Sequence, residues 1–114
     1  VAQEHLFLVF SNPVPGREVQ YHEWYERHVR DLVQVPGFVS ARRFALRDDR
    51  GQRRSEHYRH LVVYELEGDS DDAMAALRQA VADGRAEPPD SRCVLGDIYG
   101  HIYDPVGARL SSGA

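Results

Sequence analysis

"YHEWYERHVRDL", residues 21–32, reads as a single stretch of two-faced helix. At about 100° per residue, Tyr21, Trp24, Tyr25, His28, Leu32 and Val35 gather on one face. Glu23, Glu26, Arg27 and Arg30 gather on the opposite one. There Glu23–Arg27 and Glu26–Arg30 are i,i+4 pairs in the favourable order, each worth roughly 0.3 kcal/mol, and solvent accounts for that face. His28 is harder to account for. It sits among rings where a leucine would pack with less trouble, and burying an unpaired polar group costs about 1–3 kcal/mol.

Working outward, the helix is expected from about Gly16 to Gln34, stopping where Pro36 and Gly37 cannot continue it. "HLFLVF" (5–10) before it is a continuous apolar run ending at the turn-rich "SNPVPG", and "FVSARRFAL" (38–46) after it reads as a second strand. "DDRGQRRSE" (48–56) is a polar loop and "YRHLVVYELE" (58–67) a third strand. "GDSDDAMAALRQAVADG" (68–84) is a second helix, with Asp69 or Ser70 as N-cap and Gly84 just past its end. "RAEPPDSR" is a loop, "VLGDIYGHIY" (94–103) the fourth strand, and residues 108–114 a frayed tail behind a single domain of residues 1–107. The order βαββαβ is the ferredoxin-like α+β arrangement, with a four-stranded antiparallel sheet.

"LFLVF" and "HLVVY" are apolar at nearly every position, whereas a sheet with one wet face should alternate. Both strands therefore expect cover on both faces. Two short helices cover one face, which leaves the other to a second copy of the chain in a twofold homodimer.

Composition narrows the function classes. The 114 residues carry 14 basic and 18 acidic side chains, a formal charge of −4, without a basic run, so nucleic acid is not the expected partner. No apolar run reaches the ~18 residues of a membrane span, and "VAQEH" has no basic or apolar leader pattern. Cys93 is the only cysteine, so no intrachain disulfide or thiolate zinc site is expected. A cytoplasmic protein without membrane association is the reading. No metal constellation appears: His22 and His28 are six apart on the helix, about 120° from each other.

Several side chains carry candidate chemistry. Asp31, three residues beyond His28, can accept from one imidazole nitrogen and aim the other, and Tyr21 and Tyr25 flank the ring as hydroxyl donors. The bland alternative is a core histidine tied to a backbone carbonyl. Tyr99, His101 and Tyr103 share a face of the fourth strand, which faces either the helices or the partner copy. Arg42 and Arg43 point to opposite faces, so one is inward, to meet either a substrate anion or an intersubunit carboxylate. Asn12 can cap the helix or line a pocket mouth. His57 and His60, beside the polar loop, are expected in solvent, and His22 has no assigned role.

The stretch "NPVPGREVQYHEWYERHVRDLVQVPGFVSARRFAL" resembles the opening of the EthD-like branch of the dimeric α/β-barrel superfamily. The matching residues are Asn12, Pro13, Gly16, Trp24, Tyr25, His28, Val35, Pro36, Gly37, Phe38, Arg43 and Phe44. Many members carry Leu-Pro after the histidine. Here Val29 and Arg30 stand there, so the helix should run on unkinked to about Leu32. The resemblance implies a dimeric barrel with a mostly apolar cavity between helices and sheet. Its superfamily includes polyketide cyclases, cofactor-free monooxygenases, isomerases and haem-degrading enzymes. On that footing His28 is the acid or base, Tyr25 or Tyr21 its hydrogen-bonding partner, and Asp31 the orienter. Tyr21, Trp24, Asn12, Arg43, Tyr99 and His101 would meet the substrate. The expected activity is cofactor-independent cyclisation, isomerisation or lyase chemistry on an apolar aromatic or polyketide-like molecule. The alternatives are a dimeric ligand-binding protein without catalysis, or a haem-binding protein or cofactor-free monooxygenase.

Overall fold

Residues 4–47 and 58–113 are described in the structure, a computed structural model. The elements are β1 (Glu4–Ser11), α1 (Glu18–Leu32), β2 (Phe38–Ala45), β3 (His60–Glu67), α2 (Ser70–Ala82) and β4 (Tyr99–Tyr103). The strands form one antiparallel sheet in the order β2-β3-β1-β4. This is the βαββαβ ferredoxin-like fold expected from the sequence. The expected polar loop, residues 48–56, and His57 lie outside the described residues.

Helix ends follow local chemistry. Asp69 caps α2, its side chain accepting from the Asp71 and Asp72 amides at 2.8 and 3.2 Å. α1 runs as one continuous helix from Glu18 to Leu32 and hands over to the "VPGF" turn. Gly37 there has φ +94°, and an added Cβ would lie 2.8 Å from the Ala73 Cβ, so this corner presses directly on α2. Phe38 then enters the core, edge-on to Tyr64 and Phe7 at 5.5 and 6.4 Å.

β4 is shorter than expected. The extended run from Val94 is broken by a tight turn in which the Ile98 amide donates to the Gly96 carbonyl, and pairing with β1 starts only at Tyr99. Val94 itself makes an isolated bridge with Pro13.

Register sorts the sheet into two faces. Towards the helices point Phe7, Val9 and Ser11 of β1, Val62, Tyr64 and Leu66 of β3, and Phe38 and Arg43 of β2. Away from them point Leu6, Leu8 and Phe10, matched by Val63 and Leu61, by Arg42 and Phe44, and by Tyr99, His101 and Tyr103. Both helices pack on the first face only, and the molecule is 19 Å through its thinnest dimension, the depth of two layers. Among the described residues no helix covers the second face, where Leu6, Phe44, Tyr99 and Tyr103 are each about two-fifths exposed. No helix among the described residues is long and apolar enough to cross a membrane.

Candidate functional site

The helix-facing layer is not filled to its edge. A cavity of about 420 Å3 opens between the sheet, α1, α2 and the connection that follows α2. Phe7, Val9, Tyr64 and Ile98 form its floor, and Trp24, Tyr25, His28 and Leu32 of α1 form one wall. Leu77, Arg78 and Val81 of α2 face them, with Glu87, Pro88 and Pro89 closing the outer side. The size falls within the range of small-molecule sites.

His28 is the imidazole of the α1 wall. It stacks on Trp24 with centroids 4.3 Å apart and planes 19° from parallel, and meets the Tyr25 edge at 5.9 Å. Its Nδ1 is buried without a hydrogen-bond partner, and so is the Trp24 indole nitrogen. Burial pulls the imidazole pKa down to about 4, and the Asp31 charge pulls weakly the other way. His28 is therefore neutral at pH 7. At Nδ1 there is neither the backbone carbonyl of an ordinary core histidine nor the Asp31 carboxylate. Asp31 acts on the ring through its field alone.

The tyrosines are committed elsewhere. Ser11, buried at the end of β1, is hydrogen-bonded through Oγ to the Tyr21 hydroxyl at 2.7 Å and to the Tyr25 hydroxyl at 2.9 Å. Neither hydroxyl is turned to His28, contrary to the flanking-donor expectation: Tyr25 offers the cavity its ring and Tyr21 is not among the lining residues. Burial pushes the Tyr21 phenol up to about 12 and raises that of Tyr25, so both stay protonated.

Four other sequence candidates lie outside the cavity lining. Asn12 neither caps α1, which has no side-chain cap, nor lines the cavity. Its Oδ1 accepts from the Arg59 amide at 2.7 Å and its carbonyl from the Leu95 amide at 3.0 Å, so it ties β1 to two neighbouring segments. Arg43 is the inward arginine, but its charge is met within the chain. It donates to Glu26 at 3.2 Å and to His22 Nδ1 at 2.7 Å, and lies over the Tyr25 ring at 5.4 Å. Tyr99 and His101 stand on the open face of the sheet, opposite the cavity, because their register partners there are Phe10 and Leu8.

His60 departs from expectation in the other direction. Instead of standing free in solvent, it is half-buried against Tyr21 and His22, with ring centroids 5.0 and 5.1 Å away. Burial, with the neighbouring His22, Arg43 and Arg59 charges, lowers its pKa to about 4.

No protein-family model and no curated protein matches the chain. Solved structures do. A point variant of SnoaB, a cofactor-independent oxygenase from Streptomyces nogalater, aligns at TM-score 0.63 and 16% identity, over 99% of this chain and 100% of that one. A candidate monooxygenase from Shewanella loihica PV-4 aligns at TM-score 0.57 and 18% identity, over 95% and 99%. A candidate antibiotic-biosynthesis monooxygenase from Nitrosomonas europaea aligns at 0.57 and 17%, over 93% of each chain. The fold is theirs. At these identities the likeness carries the architecture, and the chemistry has to be argued from this chain's own cavity.

Sequence reasoning missed two parts of that cavity, Tyr64 and the α2 wall, and the buried Ser11 beneath α1. Tyr64 lies in the floor, stacked on Phe7 at 5.6 Å, and burial raises its phenol so that it stays a proton donor. In the sequence it is one more apolar-run aromatic. Ser11 was hidden as the first residue of a turn. The α2 wall was readable as an i, i+1, i+4 set only once the helix had been placed on the sheet. Among the described residues, no group of three His, Cys, Asp or Glu side chains is arranged to hold a metal ion.

Proposed function

We propose that the chain is an EthD-like member of the dimeric α/β-barrel superfamily and that its cavity is the active site of a small cofactor-independent enzyme. Its substrate is an apolar, aromatic or polyketide-like molecule bearing an acidic C–H or O–H, and His28 takes that proton. The observation that carries this reading is a neutral imidazole among the side chains that line an apolar cavity, stacked on Trp24.

A base with a pKa of about 4 is weak on its own. It becomes effective when the anion it creates lies beside it, because imidazolium and enolate or phenolate then offset each other's desolvation. Tyr64 supplies a protonated phenol in the floor for the developing oxyanion. Once formed, the carbanion closes a ring, expels a leaving group or shifts a double bond. The likeness to a cofactor-independent oxygenase favours a second fate, reaction of the same carbanion with dioxygen. Proton abstraction is common to all of them. Trp24 and the Phe7–Tyr64 pair give flat surfaces for an aromatic ring.

The working unit we propose is a homodimer closed through the bare sheet face, which keeps the cavity of each copy on the outside.

The test follows the proton. Aryl β-diketones in D2O should exchange their central C–H faster with the protein than without it, and His28→Leu should abolish the acceleration while leaving the fold intact. Binding of such probes without any exchange would favour the non-catalytic ligand-binding reading. A Soret band on mixing with haem would favour oxidative cleavage.

A further inference from the structure

We infer that the cavity selects ligands bearing a carboxylate, and that Arg78 at its rim is the residue that recognises it. The inference rests on the cavity being the ligand site. α2 turns Leu77, Arg78 and Val81 towards the cavity, and Arg78 is the only basic residue in that helix. An arginine on a solvated helix face is stabilised when a carboxylate stands three or four positions away. Both arginines of α1 follow that pattern, with Glu23 four before Arg27 and Glu26 four before Arg30. Arg78 does not: the corresponding positions hold Met74, Ala75, Val81 and Ala82.

Its spatial neighbours do not supply the missing charge either. Glu87, the other charged residue lining the cavity, is drawn towards Arg27 at 3.9 Å, and among the described residues Arg78 makes no ion pair. Arg78 is thus the one cationic side chain in the lining, and the one carboxylate there, Glu87, is drawn outward to Arg27. The walls beneath are apolar, so field lines from the rim are focused into the opening instead of being screened on all sides. A guanidinium also matches the planar fork of a carboxylate with two parallel hydrogen bonds. An aromatic acid would lay its ring between Trp24 and the Phe7–Tyr64 floor and leave its carboxylate at Arg78.

A matched pair of fluorescent probes tests this. Anilinonaphthalene sulfonate carries an anion standing in for the carboxylate, and phenylnaphthylamine is its neutral counterpart. Both should bind the folded protein, and Val81→Trp, which fills the cavity from α2, should weaken both. Arg78→Gln should weaken the sulfonate about five- to tenfold, the scale of one partly exposed charge-assisted hydrogen bond, and leave the neutral probe unchanged. Added salt should likewise erode the preference for the anion. If Arg78→Gln shifts both probes equally or neither, the carboxylate assignment is overturned while the cavity stands. If Val81→Trp changes neither probe, the cavity is not the ligand site and both readings fall.

Discussion

The His28 ring lies flat on the Trp24 indole, centroids 4.3 Å apart, and each ring keeps one buried nitrogen without a partner. Two orphaned polar atoms on one wall are a cost to the folded state, about 1–3 kcal/mol for each such group. Replacing His28 by leucine removes one of them and keeps the volume. His28→Leu should therefore melt no lower than the parent at pH 7, and up to several degrees higher, while proton exchange on bound ligands is lost. A large fall in melting temperature with exchange intact would return His28 to a structural role.

The same histidine makes a pH prediction. Its folded pKa of about 4 lies below the 6.5 of the unfolded chain, so between those values the unfolded state binds more protons. Stability is then complete above about pH 6.5 and falls as the pH drops towards 4. His60 acts in the same direction, though its exposed half lets solvent screen the effect. Melting temperatures taken from pH 7.5 to 4.5 should show a shallower acid slope for His28→Leu than for the parent, and a shallower one still when His60→Leu is added. An unchanged slope would mean the imidazole is hydrated.

Ser11 joins the hydroxyls of Tyr21 and Tyr25 beneath α1. Ser11→Ala leaves two buried phenols short of a partner and should cost about 2–4 kcal/mol in denaturant unfolding. Tyr25→Phe removes one partner and leaves the other bond in place, so it should cost less. In the triple variant with both tyrosines changed to phenylalanine, most of the loss should be recovered, since no polar atom is then left unpaired. An additive loss across the series would show that the three do not act as one network.

The open sheet face should be an interface. Burying even about 500 Å2 of apolar surface per copy contributes roughly 12 kcal/mol, enough to meet an association cost of several kcal/mol. Sedimentation at micromolar concentration should give a dimer, and Val63→Arg, at the centre of that face, should give a folded monomer. A parent that sediments as a monomer would remove the dimer from the proposal.

Strand and helix order was legible because each element has an unmixed signal. α1 separates charge from rings, α2 is bracketed by Asp69 and Gly84, and the "VPGF" corner permits one path. The bare face was legible too, from strands that fail to alternate. What could not be read was which side of the sheet each strand presents. Facing is fixed by register with β1, and a shift of one residue would have put Tyr99 and His101 in the cavity. Partner choice was equally hidden. Arg43 has Glu26 and His22 within reach only because β2 passes under α1, and Ser11 gathers two tyrosines separated from it by ten and fourteen residues. His60 was misjudged because a residue next to a polar loop in sequence need not be next to water.

The connection from α2 to β4 has an anatomy with its own consequence. Its start is fastened where the Arg85 and Ala86 amides donate to the Ala80 carbonyl, and its finish where the Val14 amide donates to the Cys93 carbonyl. Between those fastenings Glu87, Pro88 and Pro89 form the outer cavity wall and are exposed to solvent. His28 and the outer wall of the cavity thus sit on separately replaceable pieces of chain. Exchanging the few residues between two fixed knots would reshape the outer wall of the cavity without disturbing His28 or the core, which makes this segment the natural place for the cavity to diverge and for an engineer to begin.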